Sequence, residues 1–151
     1  MKKLIYILIF SLFIFNCSDD DNPSTTSITF LEKYEGTVWF NDENDVPSYI
    51  RFINNLSTPL ENWIDVAVCY QYYLNEFYEG DSITKNSNDI LEFRYVESDG
   101  GDEWVDIMTL TASENSIEVE YKYYENGDLY ESGFIYFTKS SADVESFTLC
   151  D

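Results

Sequence analysis

The chain contains no histidine, and only 8 of its 151 residues are Lys or Arg, against 29 Asp and Glu. Each scarcity excludes a class of chemistry. Without histidine there is no Ser-His-Asp triad and no imidazole ligand for zinc. With a formal net charge of −21 the chain repels phosphate backbones, which excludes nucleic acid as a partner. The three cysteines, Cys17, Cys69 and Cys150, include no Cys-x-x-Cys pair, so no metal site is expected from them. Long hydrophobic runs are missing too. The longest, Leu4 to Phe15, is interrupted by Ser11 and falls short of the roughly 20 apolar residues that span a bilayer.

What is present is apolar and aromatic. Hydrophobic residues make up 44% of the chain and aromatics 18%, with 13 Tyr and 11 Phe. That supply can build a core despite the charge, so one folded domain is expected rather than disorder.

The N-terminus carries an address. Lys2 and Lys3 precede the apolar run Leu4–Phe15, the layout of a secretory signal. The run ends Ile14-Phe15-Asn16-Cys17 and is followed by Ser18-Asp19-Asp20-Asp21. The first segment resembles a lipobox, at which Cys17 would become the acylated first residue of a bacterial lipoprotein. The second resembles the surface-export signal of Bacteroidetes-type lipoproteins. The resemblance implies a signal peptide at 1–16, a lipidated acidic tether at 17–28 and a folded domain at 29–151. It further implies anchoring to the outer membrane through Cys17, with surface display expected and a periplasm-facing attachment as the alternative. Two or more acyl chains anchor stably where one does so only marginally. Loss of residues 1–16 removes Lys2 and Lys3, leaving a mature chain two charges more negative than −21. In an oxidising export compartment Cys69 and Cys150 are then free to pair; two unpaired cysteines, with Cys69 buried, are the alternative.

Within the domain, Thr29-Phe30-Leu31-Glu32 fits a capping box and Gly36 fits a helix C′ position. A short helix over Phe30–Glu35 follows. Beyond it the apolar period becomes two. Strands are expected at Thr37–Phe40, Ser48–Ile53, Asn62–Tyr72, Asp89–Glu97, Glu103–Ala112, Ser116–Tyr124 and Asp128–Thr138. Shorter ones are expected near Glu76–Tyr78 and Ser82–Thr84, with a terminal segment at Val144–Cys150.

Two turns set registers. Asn126-Gly127 is a strong two-residue hairpin signal. It would pair Glu125 with Asp128, Tyr123 with Tyr130, Tyr121 with Ser132, Val119 with Phe134 and Ile117 with Tyr136. Lys122 would then face Glu131 across the strands, leaving Ile135 and Phe137 outward unless a bulge intervenes. Gly100-Gly101 would pair Leu91 with Leu110, Phe93 with Met108 and Tyr95 with Asp106 on the inner face, at the cost of opposing Asp99 to Asp102. In Asn62–Tyr72 the inner face would be Ile64, Val66, Val68, Tyr70 and Tyr72. Cys69 would lie on the other face, so a tail carrying Cys150 should cross the outside of the sheet.

Such a strand pattern fits an up-and-down barrel or a two-layer sandwich. The opening Phe30-Leu31-Glu32-Lys33-Tyr34-Glu35-Gly36-Thr37-Val38-Trp39 resembles the start of small lipocalin-like lipoproteins, where a short helix leads into a strand whose Trp plugs the barrel floor. The resemblance implies an all-β, antiparallel barrel of about eight strands with a cavity for a small apolar ligand. Because the usual general bases are absent or unplaced, no enzymatic activity is expected, and no cofactor. An acidic interaction protein of the inhibitor or immunity type, masking a basic partner, is the alternative reading of the charge.

Chemistry-bearing candidates are few. Asp106 beside Tyr95, with Tyr121 nearby, would form a polar group inside a barrel, where a carboxylate can anchor a ligand. Asn41–Asp45 and Asp99–Glu103 are oxygen-rich loops without the EF-hand spacing, and they read as solvated turns. Glu118 and Glu120 share an outer strand face. Asp81-Ser82-Ile83 resembles an O-glycosylation sequon of exported proteins. Trp39, Trp63 and Trp104 suit either a binding site or a strand core.

Overall fold

A computed structural model describes residues 27–43 and 46–151; the signal segment, Cys17 and the tether up to residue 26 lie outside them. The capping box forms as the sequence requires. Thr29 accepts from the Glu32 N–H at 3.2 Å, and the Glu32 carboxylate accepts from the Thr29 N–H at 2.8 Å. The helix, α1, spans Phe30–Tyr34, and Gly36 leaves it with φ +70°, the left-handed conformation that a Cβ disfavours.

Nine strands follow: β1 Val38–Asn41, β2 Ser48–Phe52, β3 Leu60–Asp65, β4 Tyr70–Leu74, β5 Ser82–Ser87, β6 Ile90–Asp99, β7 Asp102–Ala112, β8 Ser116–Glu125 and β9 Asp128–Ser140. They form one antiparallel sheet in the order β4-β3-β2-β1-β9-β8-β7-β6-β5. β9 pairs with β1. The sheet is not closed, because β4 and β5, its two edges, do not pair.

One core joins both halves of the sheet. Phe30, Leu31 and Tyr34 of α1 pack with Trp39, Ile50 and Phe52 from β1 and β2, and with Leu91, Phe93, Leu110, Ile117, Val119 and Phe137 from β6 to β9. Phe30 meets Phe52 edge-on at 5.0 Å between ring centroids. The helix also ties the two ends together. Asn86 of β5 accepts from the Leu31 N–H at 3.1 Å, and Phe52 of β2 accepts from the Gly36 N–H at 2.9 Å. Lys33 and Tyr34 both bond Asp89, at 2.5 and 2.8 Å, and hold its carboxyl below its ordinary pKa.

The β6–β7 register is the one Gly100-Gly101 implies, from Asp99↔Asp102 to Leu91↔Leu110. The like charges at its tip are tolerated because Asp102 accepts from the Asn126 side-chain amide at 3.0 Å. The β8–β9 register departs from expectation. Glu125 faces Asp128 and Tyr124 faces Leu129, but a bulge then inserts one residue, so that Tyr123 faces Glu131, Val119 faces Ile135 and Ile117 faces Phe137. Without the bulge Ile135 and Phe137 would face water; with it they join the core, and Phe134 and Tyr136 become the exposed pair. The same slip breaks the expected Lys122–Glu131 pair, and Lys122 instead bridges Glu120 at 2.8 Å. It also sets Gly133 beneath the Tyr121 ring, where an added Cβ would come within 2.6 Å of the tyrosine oxygen. Gly133→Ala should therefore displace Tyr121 and cost about 1 kcal/mol. Urea denaturation checks this, and restoration of stability when Tyr121 is also shortened to Ser would tie the cost to the ring.

Asn62–Tyr72 is not one strand. It is the β3–β4 hairpin, turning at Val66–Cys69 with Ala67 at φ +75°. Asp65 accepts from the Ala67 N–H at 2.7 Å, an Asx turn that replaces the missing Gly or Asn. Val66 and Val68 are therefore exposed, at 39% and 87%, rather than inward. Tyr70 and Tyr72 face outward with Asp65 and Trp63, their partners across the hairpin. The Glu76–Tyr78 stretch forms no strand, although Phe77 packs on Phe93 and Tyr95.

The C-terminal tail does cross the outer face. After a 3-10 turn at Val144–Ser146, Phe147 stacks on Tyr70 at 4.0 Å and meets Tyr49 at 5.0 Å. Leu149 bridges Tyr70, and the tail ends in a Cys69–Cys150 disulfide. Arg51 lies over the Trp63 ring and bonds both Glu61 and Glu145, each at 2.6 Å, clamping tail to sheet. Tyr72 donates to Glu61 at 2.8 Å; burial and that carboxylate push its hydroxyl up to about 12.

Candidate functional site

The three tryptophans occupy three different environments. Trp39 is fully buried in the core, and Trp63 lies under the tail. Trp104 remains half-exposed at the far end of the sheet, among the residues around a cavity of about 760 Å³. Its wall consists of Tyr78, Asp81, Tyr95, Val96, Glu97, Asp99, Trp104, Asp106 and Tyr123.

Strand register explains why these side chains converge. Tyr95, Asp106 and Tyr123 sit opposite one another on β6, β7 and β8, and so share one face in a single row. The next row outward is Glu97, Trp104 and Glu125. The next row inward is Phe93, Met108 and Tyr121, beyond which the apolar core begins. The inner face thus grades along each strand from aliphatic core, through an aromatic–carboxylate row, to an acidic rim.

The segment between β4 and β5 forms the remaining wall. Asp81 accepts from the Tyr78 N–H at 2.8 Å and from the Val96 N–H at 2.9 Å. Both of its oxygens therefore fix the loop to β6. That use gives the Asp81-Ser82-Ile83 motif a structural role, with Ser82 opening β5. Asn75 donates to the Tyr95 hydroxyl at 2.8 Å, bridging the unpaired edges near the cavity.

Electrostatics differ between the carboxylates. Partial removal from solvent, and then the charge of Glu97, raise the Asp106 carboxyl above its ordinary value. No side chain donates to it among the described residues, and the carboxylate is open to water. Burial likewise raises the hydroxyls of Tyr95 and Tyr123. Among the described residues no Lys or Arg lines the cavity.

The structure therefore brings Tyr95 and Asp106 together, as the hairpin register implies. Tyr121 stands apart from the cavity wall, lying over Gly133 with its hydroxyl 3.3 Å from Glu131. Sequence reasoning offered Trp104 only as one of three tryptophans suited to a site or a core, and it missed Tyr123 and Tyr78. The β7–β8 pairing that sets Tyr123 beside Asp106 has no short turn motif of its own between Ala112 and Ser116. Glu118 and Glu120 lie opposite Thr111 and Thr109, two residues apart along the outer face. Among the described residues no three His, Cys, Asp or Glu side chains converge on a metal-sized site.

Comparison with protein-family models, curated proteins and solved structures finds no match to this chain.

Proposed function

We propose that this protein is a lipid-anchored, non-enzymatic binding module of lipocalin-like architecture, displayed on the outer membrane through acylated Cys17 and taking a small ligand at the open end of its sheet. The observation that carries the reading is the cavity at the end opposite α1. The strand order, with β9 returning to β1 and only β4 and β5 left as edges, supports an up-and-down, barrel-like reading. The helix and Trp39 fill one end, and half-buried Tyr95 and Tyr123 flank exposed Asp106 at the other.

The position of the tether supports display. Ile28 accepts from the Asn88 N–H at 3.0 Å, beside the turn before β6. The cavity rim lies at the other end of β6, a strand of ten residues and so about 30 Å long. A lipid at Cys17 would thus be tethered to the end of the domain away from the cavity rim. The lack of histidine in the sequence removes the commonest general base, which is why a binding role is preferred here to catalysis.

Two measurements test the reading. Metabolic labelling with an alkyne fatty acid should mark the full chain and fail to mark Cys17→Ala, which should leave the membrane fraction. In detergent, NMR titration with a panel of apolar, amine and saccharide fragments should shift resonances of Tyr95, Trp104, Asp106 and Tyr123. Equal labelling of the variant, or shifts confined to other surfaces, would overturn it.

A further inference from the structure

We infer that the ligand of this cavity is a small organic cation, held with its ammonium group against Asp106 between the rings of Tyr95 and Tyr123. The inference rests on the binding role proposed above and names the ligand class for that same cavity.

Three independent features converge on a cation. The first is geometry. Asp106 stands in one cross-strand row with an aromatic ring on each side, and Trp104 lies in the adjacent row. Ring faces attract a nearby cation through their quadrupole, and an ammonium desolvated among aromatic rings keeps more of that attraction than one in water. The second is the sign of the wall. Asp99, Glu97 and Asp106 face the cavity, Asp81 is committed to backbone N–H groups, and no basic side chain competes with an incoming cation. The third is Asp106 itself, which is exposed at the cavity and accepts from no side chain among the described residues. Partial loss of solvent, and then the charge of Glu97, raise its carboxyl above the ordinary value, and a bound ammonium would act in the opposite direction.

The cavity volume of about 760 Å³ suits a small molecule rather than a bare ion. The absence of a convergent three-carboxylate cluster among the described residues also argues against a hard divalent metal, which needs several oxygen ligands at short range. A purely apolar ligand fits less well, because it would bury Asp106 without a partner.

The three indole N–H signals of the full chain provide the test, since each tryptophan occupies a different environment. Tetramethylammonium chloride titrated into isotopically labelled protein should shift the Trp104 signal saturably and leave those of Trp39 and Trp63 in place. Sodium chloride at equal ionic strength should not reproduce the shift. Asp106→Asn should weaken binding at least tenfold without lowering the melting temperature, and Tyr123→Leu should weaken it severalfold. If Asp106→Asn does not fold, Glu97→Gln carries the same test with a smaller loss. An equal response to sodium chloride, no saturation, or unchanged affinity in folded Asp106→Asn would overturn the cation. Should apolar or saccharide fragments shift Trp104 while tetramethylammonium does not, the ligand class falls and the binding cavity stands.

Discussion

Trp39→Ala should destabilise the domain by about 3–5 kcal/mol, a large share of the roughly 5–15 kcal/mol that holds a typical domain together. Trp39 is fully buried, and its ring meets Tyr34 edge-on at 5.9 Å. Its indole N–H donates to the Thr37 hydroxyl at 2.9 Å, so its one polar atom is satisfied. Truncation would leave a void where α1, β1 and the helix-side ends of the long strands meet. Relaxation is constrained on all sides, because α1 is fixed both to β2 through Gly36 and to β5 through Asn86. Trp39→Phe, which keeps most of the volume, should lose less. Urea denaturation followed by far-ultraviolet circular dichroism measures both. A loss under 1 kcal/mol for the alanine variant would mean that the helix-filled end is not the centre of the core.

Removing the Cys69–Cys150 bridge should cost about 2–4 kcal/mol, chiefly by releasing a constraint on the unfolded chain. The bridge spans a sequence separation of 81 residues, near the upper range of such loops. In the native state the loss should be local. The tail keeps the Phe147–Tyr70 stack and the Arg51–Glu145 pair, but its last hydrogen bonds to β4 would fray. Trp63, 4% exposed beneath it, should then become wetter, and its fluorescence should move to longer wavelength on reduction. Cys69→Ala combined with Cys150→Ala should reproduce both effects. Identical denaturation midpoints with and without reductant would show that the aromatic stack and the clamp hold the tail unaided.

Asn126-Gly127 and Gly100-Gly101 illustrate how far local signals reach. Both turns form, and Gly127, Gly100 and Gly101 all take positive φ. For β6–β7 the turn and the apolar alternation agree, so the whole ladder follows from the sequence, including the Tyr95–Asp106 pair of the cavity. For β8–β9 they conflict. Phe134, Ile135, Tyr136 and Phe137 are all apolar, so either alternate set could face inward. Only the space available decides. Ile135 and Phe137 fit against Val119, Ile117 and the core, and a one-residue bulge near Tyr130 restores that register. At Val66–Cys69 the difficulty is the reverse: an unbroken apolar run conceals a turn, and Asp65 was its only local sign.

The sequence by itself determined the capping-box helix, the antiparallel β character, the two glycine-marked hairpin turns and the cysteine pair able to join. Each follows from a side chain acting on backbone within a few residues or, for the cysteines, from the pair left over on the expectation that Cys17 is acylated. Tertiary structure decided the bulge in β9, the β3–β4 turn, the unpaired edges at β4 and β5, and the meeting of Trp104 and Tyr123 with Asp106. Those depend on which of two apolar faces gains more burial, a quantity set only when distant strands come together. The missing histidines and scarce cations that bounded the chemistry at the start therefore acquire a location: a cavity whose wall holds rings and carboxylates and no positive charge.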